Sequence, residues 1–203
     1  MLDGIILAAG RSRRAGVFKP GHRWRGRPLL RHAVDALAPW CDRLVIVTGH
    51  RHDEVAALAG DLPGVVLARN PDPDRGMFSS VQTGAVAVSP DARGFFVLPV
   101  DCPVLEADVA RALLDAFADR GGAPRCVVPE HEGRGGHPVL LPAAARQAIL
   151  EASFTGTLRQ VIGNLGAARV PVASSSVLTD LDTADDLARL PRADHQAGDP
   201  PKG

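Results

Sequence analysis

Short apolar runs rich in β-branched residues recur along the chain at 2–8, 43–48, 65–68, 94–100 and 126–129. They lack the alternating polar positions of a half-solvated strand, so each is predicted to be a strand buried on both faces. Between them, 28–38, 53–59, 78–88 and 108–120 show helical periodicity. Pro28 and Pro103 fall at the edges of these segments, where proline interrupts nothing. Beyond Pro138 a brief apolar run at 139–141 precedes helical patterns at 143–151 and 157–162, a strand-like 168–172 and a last helix at 182–190. Strands alternating with helices predict an α/β, Rossmann-like domain spanning 1–190, with a mostly parallel central sheet and helices on both faces. The segment 191–203, rich in Pro, Gly, Asp and Ala without apolar period, is predicted to be a disordered tail.

The 203 residues are enough to bury a sizeable core. No apolar run approaches a membrane span and no signal-like leader is visible, which predicts a cytoplasmic protein without a membrane partner. The three cysteines, Cys41, Cys102 and Cys126, are widely spaced and form no Cys-x-x-Cys pair, against a disulfide framework or structural zinc. Basic and acidic residues balance at 23 each, so no bulk attraction to nucleic acid is expected. Local charge differs: within 11–31 there are seven Arg and one Lys but no acidic residue. That field suits a multiply charged anion, and equally an arginine-rich solvated face.

The segment from Leu7 through Ala8, Ala9, Gly10, Ser12, Arg14 and Gly16 to Lys19 leaves a buried strand as a glycine-punctuated cationic loop. Small residues let backbone N–H groups approach phosphate oxygens, and Arg14 and Lys19 supply charge. Lys19 is one of only two lysines. Pro20 follows it where a P-loop needs Ser or Thr, and the dinucleotide G-x-G-x-x-G is absent too, so both common nucleotide folds are disfavoured. A Gly/Arg-rich surface turn would read the same way.

Three further places carry candidate chemistry. Asp101 ends the run 95–100, where a carboxylate can hold Mg2+ against nucleotide phosphates or cap the following helix. Gly76, Ser79 and Ser80 open a predicted helix whose unsatisfied donors suit a polar ligand; ordinary capping by Ser79 is the competing role. Asp182 also has two readings, as a metal carboxylate, for which neighbouring Asp180 is the alternative, or as an N-cap with Asp185 three residues on. Each candidate follows a predicted strand or opens a predicted helix, as ligand sites of open α/β sheets do.

The spacing Gly10, Ser12, Arg14, Gly16, Lys19, followed by Gly26, Pro28 and Leu29, resembles the signature of the nucleotidyltransferases that finish the molybdenum cofactor. The resemblance continues in 70–84, in Asp101-Cys102-Pro103, in 133–140 and in 180–183. It implies a nucleotidyltransferase that joins CMP from CTP to the phosphate of molybdopterin and releases pyrophosphate, with Mg2+ on Asp101 and Asp182 as metal ligands. It further implies catalytic roles for Arg14, Lys19 and Asp101, nucleotide contacts along Leu7, Ala8, Ala9, Gly10 and Ser12, and an acceptor loop containing Gly136 and His137. That loop also reads as a mobile surface loop. Leu-Ala-Ala-Gly at 7–10 is similar to the cytidine-transferring members, with the methyl of Ala9 filling space that a larger purine would need. Guanosine transfer, a different phosphorylated acceptor, and a nucleotide- or molybdopterin-binding chaperone remain alternatives. A molybdoenzyme or its chaperone is the expected protein partner. Ala15, Cys102 and the polar His22-Arg23-Trp24-Arg25 depart from the family pattern.

Overall fold

The computed structural model describes residues 1–11, 18–60, 62–118, 125–153, 155–179 and 181. In chain order the elements are β1 (Leu2–Leu7), β2 (Arg23–Trp24), β3 (Arg27–Pro28), α1 (Leu29–Leu37), β4 (Arg43–Thr48), α2 (His52–Ala59), β5 (Val65–Arg69), α3 (Met77–Ala87), β6 (Gly94–Pro99) and α4 (Ala107–Ala118). There follow β7 (Cys126–His131), β8 (Arg134–Gly135), β9 (Val139–Pro142), α5 (Ala143–Glu151), α6 (Leu158–Leu165) and β10 (Ala167–Pro171). The helix expected at 182–190 and the tail at 191–203 lie outside the described residues.

The main sheet runs β10-β7-β9-β6-β1-β4-β5, with β8 paired to β7. Every strand on this path is parallel to its neighbours except β9, which runs against β6 and β7. Sheet class and layering are as predicted. The reversed strand, the two-residue strand β8 and the separate β2–β3 hairpin are additions that apolar periodicity does not signal.

Successive strand residues point to opposite faces, and both faces are covered. Ile6, Leu44, Ile46, Phe96 and Leu98 face one core, which receives Leu30, Val34 and Leu37 of α1, Val55 of α2 and Val109 and Leu113 of α4. Ile5, Val45, Val47, Phe95 and Val97 face the other, against Val81 and Ala85 of α3, Ile149 of α5 and Val161 of α6. The runs of β1, β4 and β6 therefore read as continuously apolar, whereas 65–68, expected to be buried on both faces, forms the edge strand β5 and leaves Val66 and Leu67 exposed because no strand or helix covers that edge fully. Phe95 and Phe96 are both fully buried, one in each layer, and truncating either to Ala is expected to cost about 3–5 kcal/mol.

Local chemistry ends the elements where the pattern expects. Thr157 Oγ1 accepts from Gln160 N at 3.2 Å while Thr157 N donates to Gln160 Oε1 at 2.8 Å, a reciprocal cap that starts α6. Parallel pairing also brings the carboxyl ends of β6, β1 and β4 to one edge. There Val100 N donates to Leu7 O at 3.1 Å and Ala8 N to Val47 O at 2.9 Å.

Candidate active site

At that edge a cleft of about 240 Å3 opens between the chain leaving β1 and the start of α3. Its walls include Leu7, Ala8, Gly10, Lys19, Gly76, Ser80 and Asp101. Lys19 Nζ lies 2.8 Å from Asp101 Oδ2, with the two side chains only 13% and 24% exposed. Asp101 comes from the end of β6 and Lys19 from a 3-10 turn (Lys19–Gly21), far apart in sequence. An opposite-charge pair in a partly desolvated cleft is worth more than the same pair in water. It presents both a cation and a carboxylate to one space.

The opposite wall is the start of α3. Gly76 has φ 97°, a backbone conformation open to glycine, and nothing lies within 4 Å of where its Cβ would be. Buried Asn70 organises this turn: its Nδ2 donates to Ser79 Oγ at 2.8 Å and Ser80 Oγ at 3.0 Å, and its Oδ1 accepts from Asp72 N at 3.0 Å. Ser79 Oγ also donates to Gly76 O at 2.8 Å. Ser79 is thus committed to the turn, while Ser80 is shared between Asn70 and the cleft wall. Neither Asn70 nor this division of labour was visible in the sequence, where Asn-Pro reads as a turn signal.

Three loops meet at the rim. Arg11, after β1, makes a two-pronged ion pair with Asp74, before α3, and His50 Nε2, after β4, lies 3.1 Å from Asp74 Oδ1. Beneath them Gly49 permits close approach, since a Cβ there would stand 2.5 Å from Ala9 O and 2.8 Å from Ala9 Cβ. The methyl of Ala9 itself is buried in the second core and packed at Gly49. Its expected role in limiting space for the base is not what its packing displays.

Gly136 and His137 occupy a different setting. Gly136 N donates to Pro129 O and His137 N to Val177 O, both at 2.8 Å, and a Cβ on Gly136 would stand 2.1 Å from Val177 O. The segment continuing from Val177 reaches Leu181, whose N donates to Asp101 O at 2.9 Å. The acceptor-loop candidates are therefore tied, through one strip of chain, to the backbone of Asp101. Ser12, Arg14 and Asp182 lie outside the described residues.

The donor set also bears on a metal. Mg2+ is ordinarily held by one or two carboxylates, with water and phosphate completing the shell. Asp101 offers such an oxygen at the cleft, and among the described residues no three His, Cys, Asp or Glu side chains converge into a cage. A carboxylate oxygen lining the cleft is the donor type that a hard cation takes.

Known proteins match the same stretch of chain. Residues 4–170 fit the family described as the MobA-like NTP transferase domain. The molybdenum cofactor cytidylyltransferase of Escherichia coli (strain K12) is 28% identical over 92% of this chain and 93% of its own. A molybdenum cofactor guanylyltransferase of Xanthomonas euvesicatoria pv. vesicatoria (strain 85-10) is 32% identical over 73% of this chain and 76% of its own. In fold, the crystal structure of Rv0371c from Mycobacterium tuberculosis H37Rv superposes with a TM-score of 0.75 at 24% identity, covering 93% of this chain and 95% of that one. A manganese complex of Rv0371c gives 0.71 at 23% identity, covering 93% and 96%. The glycine-rich loop, the cleft at the carboxyl edge and Asp101 all fall within the matched residues, and the chain belongs to the MobA-like NTP transferase family.

Proposed function

We propose that this nucleotidyltransferase-family protein joins CMP from CTP to the phosphate of molybdopterin, with Mg2+ and with release of pyrophosphate. The observation that carries the reading is the Lys19–Asp101 pair in the cleft. The cytidine and molybdopterin assignments draw on the Escherichia coli relative, whose similarity extends over 92% of this chain.

In this reading Lys19, Arg14 and the backbone N–H groups of 9–12 hold the triphosphate. Preorganised donors there stabilise charge that develops on the leaving pyrophosphate. The acceptor phosphate monoester is an anionic nucleophile near neutral pH, so the chain has no strong base to supply and works by positioning. Asp101 and Asp182 would hold Mg2+; Leu181, which precedes Asp182 in sequence, donates its N–H to Asp101 O. When bound, the cation neutralises phosphate charge and orients the reacting oxygens. Lys19, 2.8 Å from Asp101, offsets the carboxylate's charge and fixes its rotamer. In the same reading Gly136 and His137 position the acceptor, His137 N donating to Val177 O and Leu181 N to Asp101 O.

Pyrophosphate release with molybdopterin and Mg2+, measured separately with CTP, GTP, ATP and UTP, tests the assignment. Release with CTP alone is expected. Preference for GTP would move the protein to the guanosine-transferring branch, and no release with any nucleotide would remove molybdopterin as acceptor.

A further inference from the structure

Both ends of the cationic loop after β1 lie against the same three residues, Gly49, His50 and Arg51, which join β4 to α2. Where the loop leaves β1, Gly49 packs directly on Ala9 and His50 N donates to Ala9 O at 3.5 Å. The His50 ring extends this contact, its Nε2 lying 3.0 Å from Arg11 Nε and 3.1 Å from Asp74 Oδ1. Where the loop returns, the Arg51 guanidinium lies 4.0 Å from the centroid of the Phe18 ring, one residue before Lys19.

Residues 49–51 are themselves held at both ends. Thr48, fully buried in the sheet, has its Oγ1 2.8 Å from His52 Nδ1, across the three residues. Arg51 O accepts from Val55 N at 3.0 Å in the first turn of α2, and the Arg51 side chain makes a two-pronged ion pair with Glu54. A planar guanidinium can offer its edge to a carboxylate and its face to a ring at once. Phe18 in turn is fastened to the Lys19 turn. Gly21 N donates to Phe18 O at 3.1 Å, and a Cβ on Gly21 would stand 2.7 Å from Phe18 Cδ1. Phe18 also packs against the core layer that contains Val55 and Ala59 of α2.

We infer that 49–51 is a positioning bracket for the loop that holds the nucleotide's phosphates, with Arg51 acting through Phe18 to set Lys19 beside Asp101. This rests on the reading of Lys19 as a triphosphate ligand. Neither Phe18 nor Arg51 lines the cleft, so their action runs through the backbone of the turn rather than through contact with the ligand. Lysine carries its charge on a flexible four-carbon stem, and fixing the backbone beneath it lowers the ordering cost of binding.

The test is calorimetric binding of a nucleotide with Mg2+ to the full chain, using whichever of CTP, GTP, ATP and UTP the parent binds most tightly; no acceptor is needed. Arg51→Ala and Phe18→Leu should each weaken binding about two- to fivefold. Phe18→Leu keeps every charge, which separates stacking from the loss of a nearby cation. The double variant should bind no more weakly than the worse single one, and in a Lys19→Ala background neither change should matter by more than about 1.5-fold, whereas a general loss of structure would act equally in both backgrounds. Amide hydrogen exchange in the nucleotide-free protein should rise at Gly21 and His22, whose N–H groups donate to Phe18 O and Lys19 O, and stay at the parent level in β6. Equal losses of affinity with and without Lys19, undiminished affinity in Phe18→Leu, or unchanged exchange at Gly21 and His22 would overturn the proposal. If the parent binds none of the four nucleotides the functional reading falls, and exchange at Gly21 and His22 still decides whether Arg51 holds the Lys19 turn.

Discussion

Replacing Lys19 with Ala separates what the cleft's ion pair does for turnover from what it does for the fold. At 2.8 Å, and with an effective dielectric constant of about 20, the Coulomb attraction between Lys19 and Asp101 is about 6 kcal/mol. Desolvation of both side chains, 13% and 24% exposed, offsets much of this, leaving an expected coupling of about 1–3 kcal/mol. A urea-unfolding cycle of Lys19→Ala, Asp101→Asn and the double variant reads that coupling directly. Turnover should respond more strongly than stability. Loss of one preorganised charge at the leaving group is expected to lower pyrophosphate release about 10²–10³-fold, or about 3–4 kcal/mol. Because both groups act in one cleft, the double variant should be little slower than the worse single one. A folded Lys19→Ala protein with turnover within threefold of the parent, or strictly additive losses, would refute a joint role for the pair.

Two other perturbations test the surroundings. Asn70→Ala removes the donor to Ser79 and Ser80 and the acceptor for Asp72 N, so stability should fall by about 1–3 kcal/mol in urea unfolding and KM for nucleotide should rise. Burial pushes the His32 imidazole below the usual histidine range, with Arg27 and Arg25 acting in the same direction and the Trp24 carbonyl and Asp35 opposing. With the folded pKa depressed, the unfolded chain binds more protons below about pH 6.5, so stability should rise with pH through that window and fall on acidification. His32→Gln should flatten the slope of unfolding free energy against pH between about 5 and 7; an unchanged slope would remove His32 as its source.

The layers of this fold were legible because the physics behind them is local. A strand such as Gly94–Pro99, covered on both faces, has to be apolar at every position, and its run announces that directly. Strand direction carries no such mark: Val139–Pro142 reads like its neighbours and yet runs antiparallel to them. Two-residue ribbons such as β2–β3 and β8 are too short to show a period. Within the cleft, Lys19 stood out as one of two lysines at the end of a cationic loop and Asp101 as a carboxylate after a buried run, and the fold brings the two side chains to 2.8 Å. Asn70 and the Arg11–Asp74–His50 contacts did not stand out. Their geometry exists only when loops separated by up to 63 residues converge. Ala9 shows the limit of a one-residue argument, since a methyl group's effect depends on which way the backbone turns it, here toward Gly49.

Following the label is the most direct test of the transfer itself. With molybdopterin, Mg2+ and CTP labelled at either the α- or the γ-phosphorus, the α-label should appear in the acceptor product and the γ-label in pyrophosphate, and Asp101→Asn should abolish both. Transfer of the γ-label to the acceptor, or α-label transfer that survives Asp101→Asn, would contradict a nucleotidyltransferase working through the Lys19–Asp101 cleft.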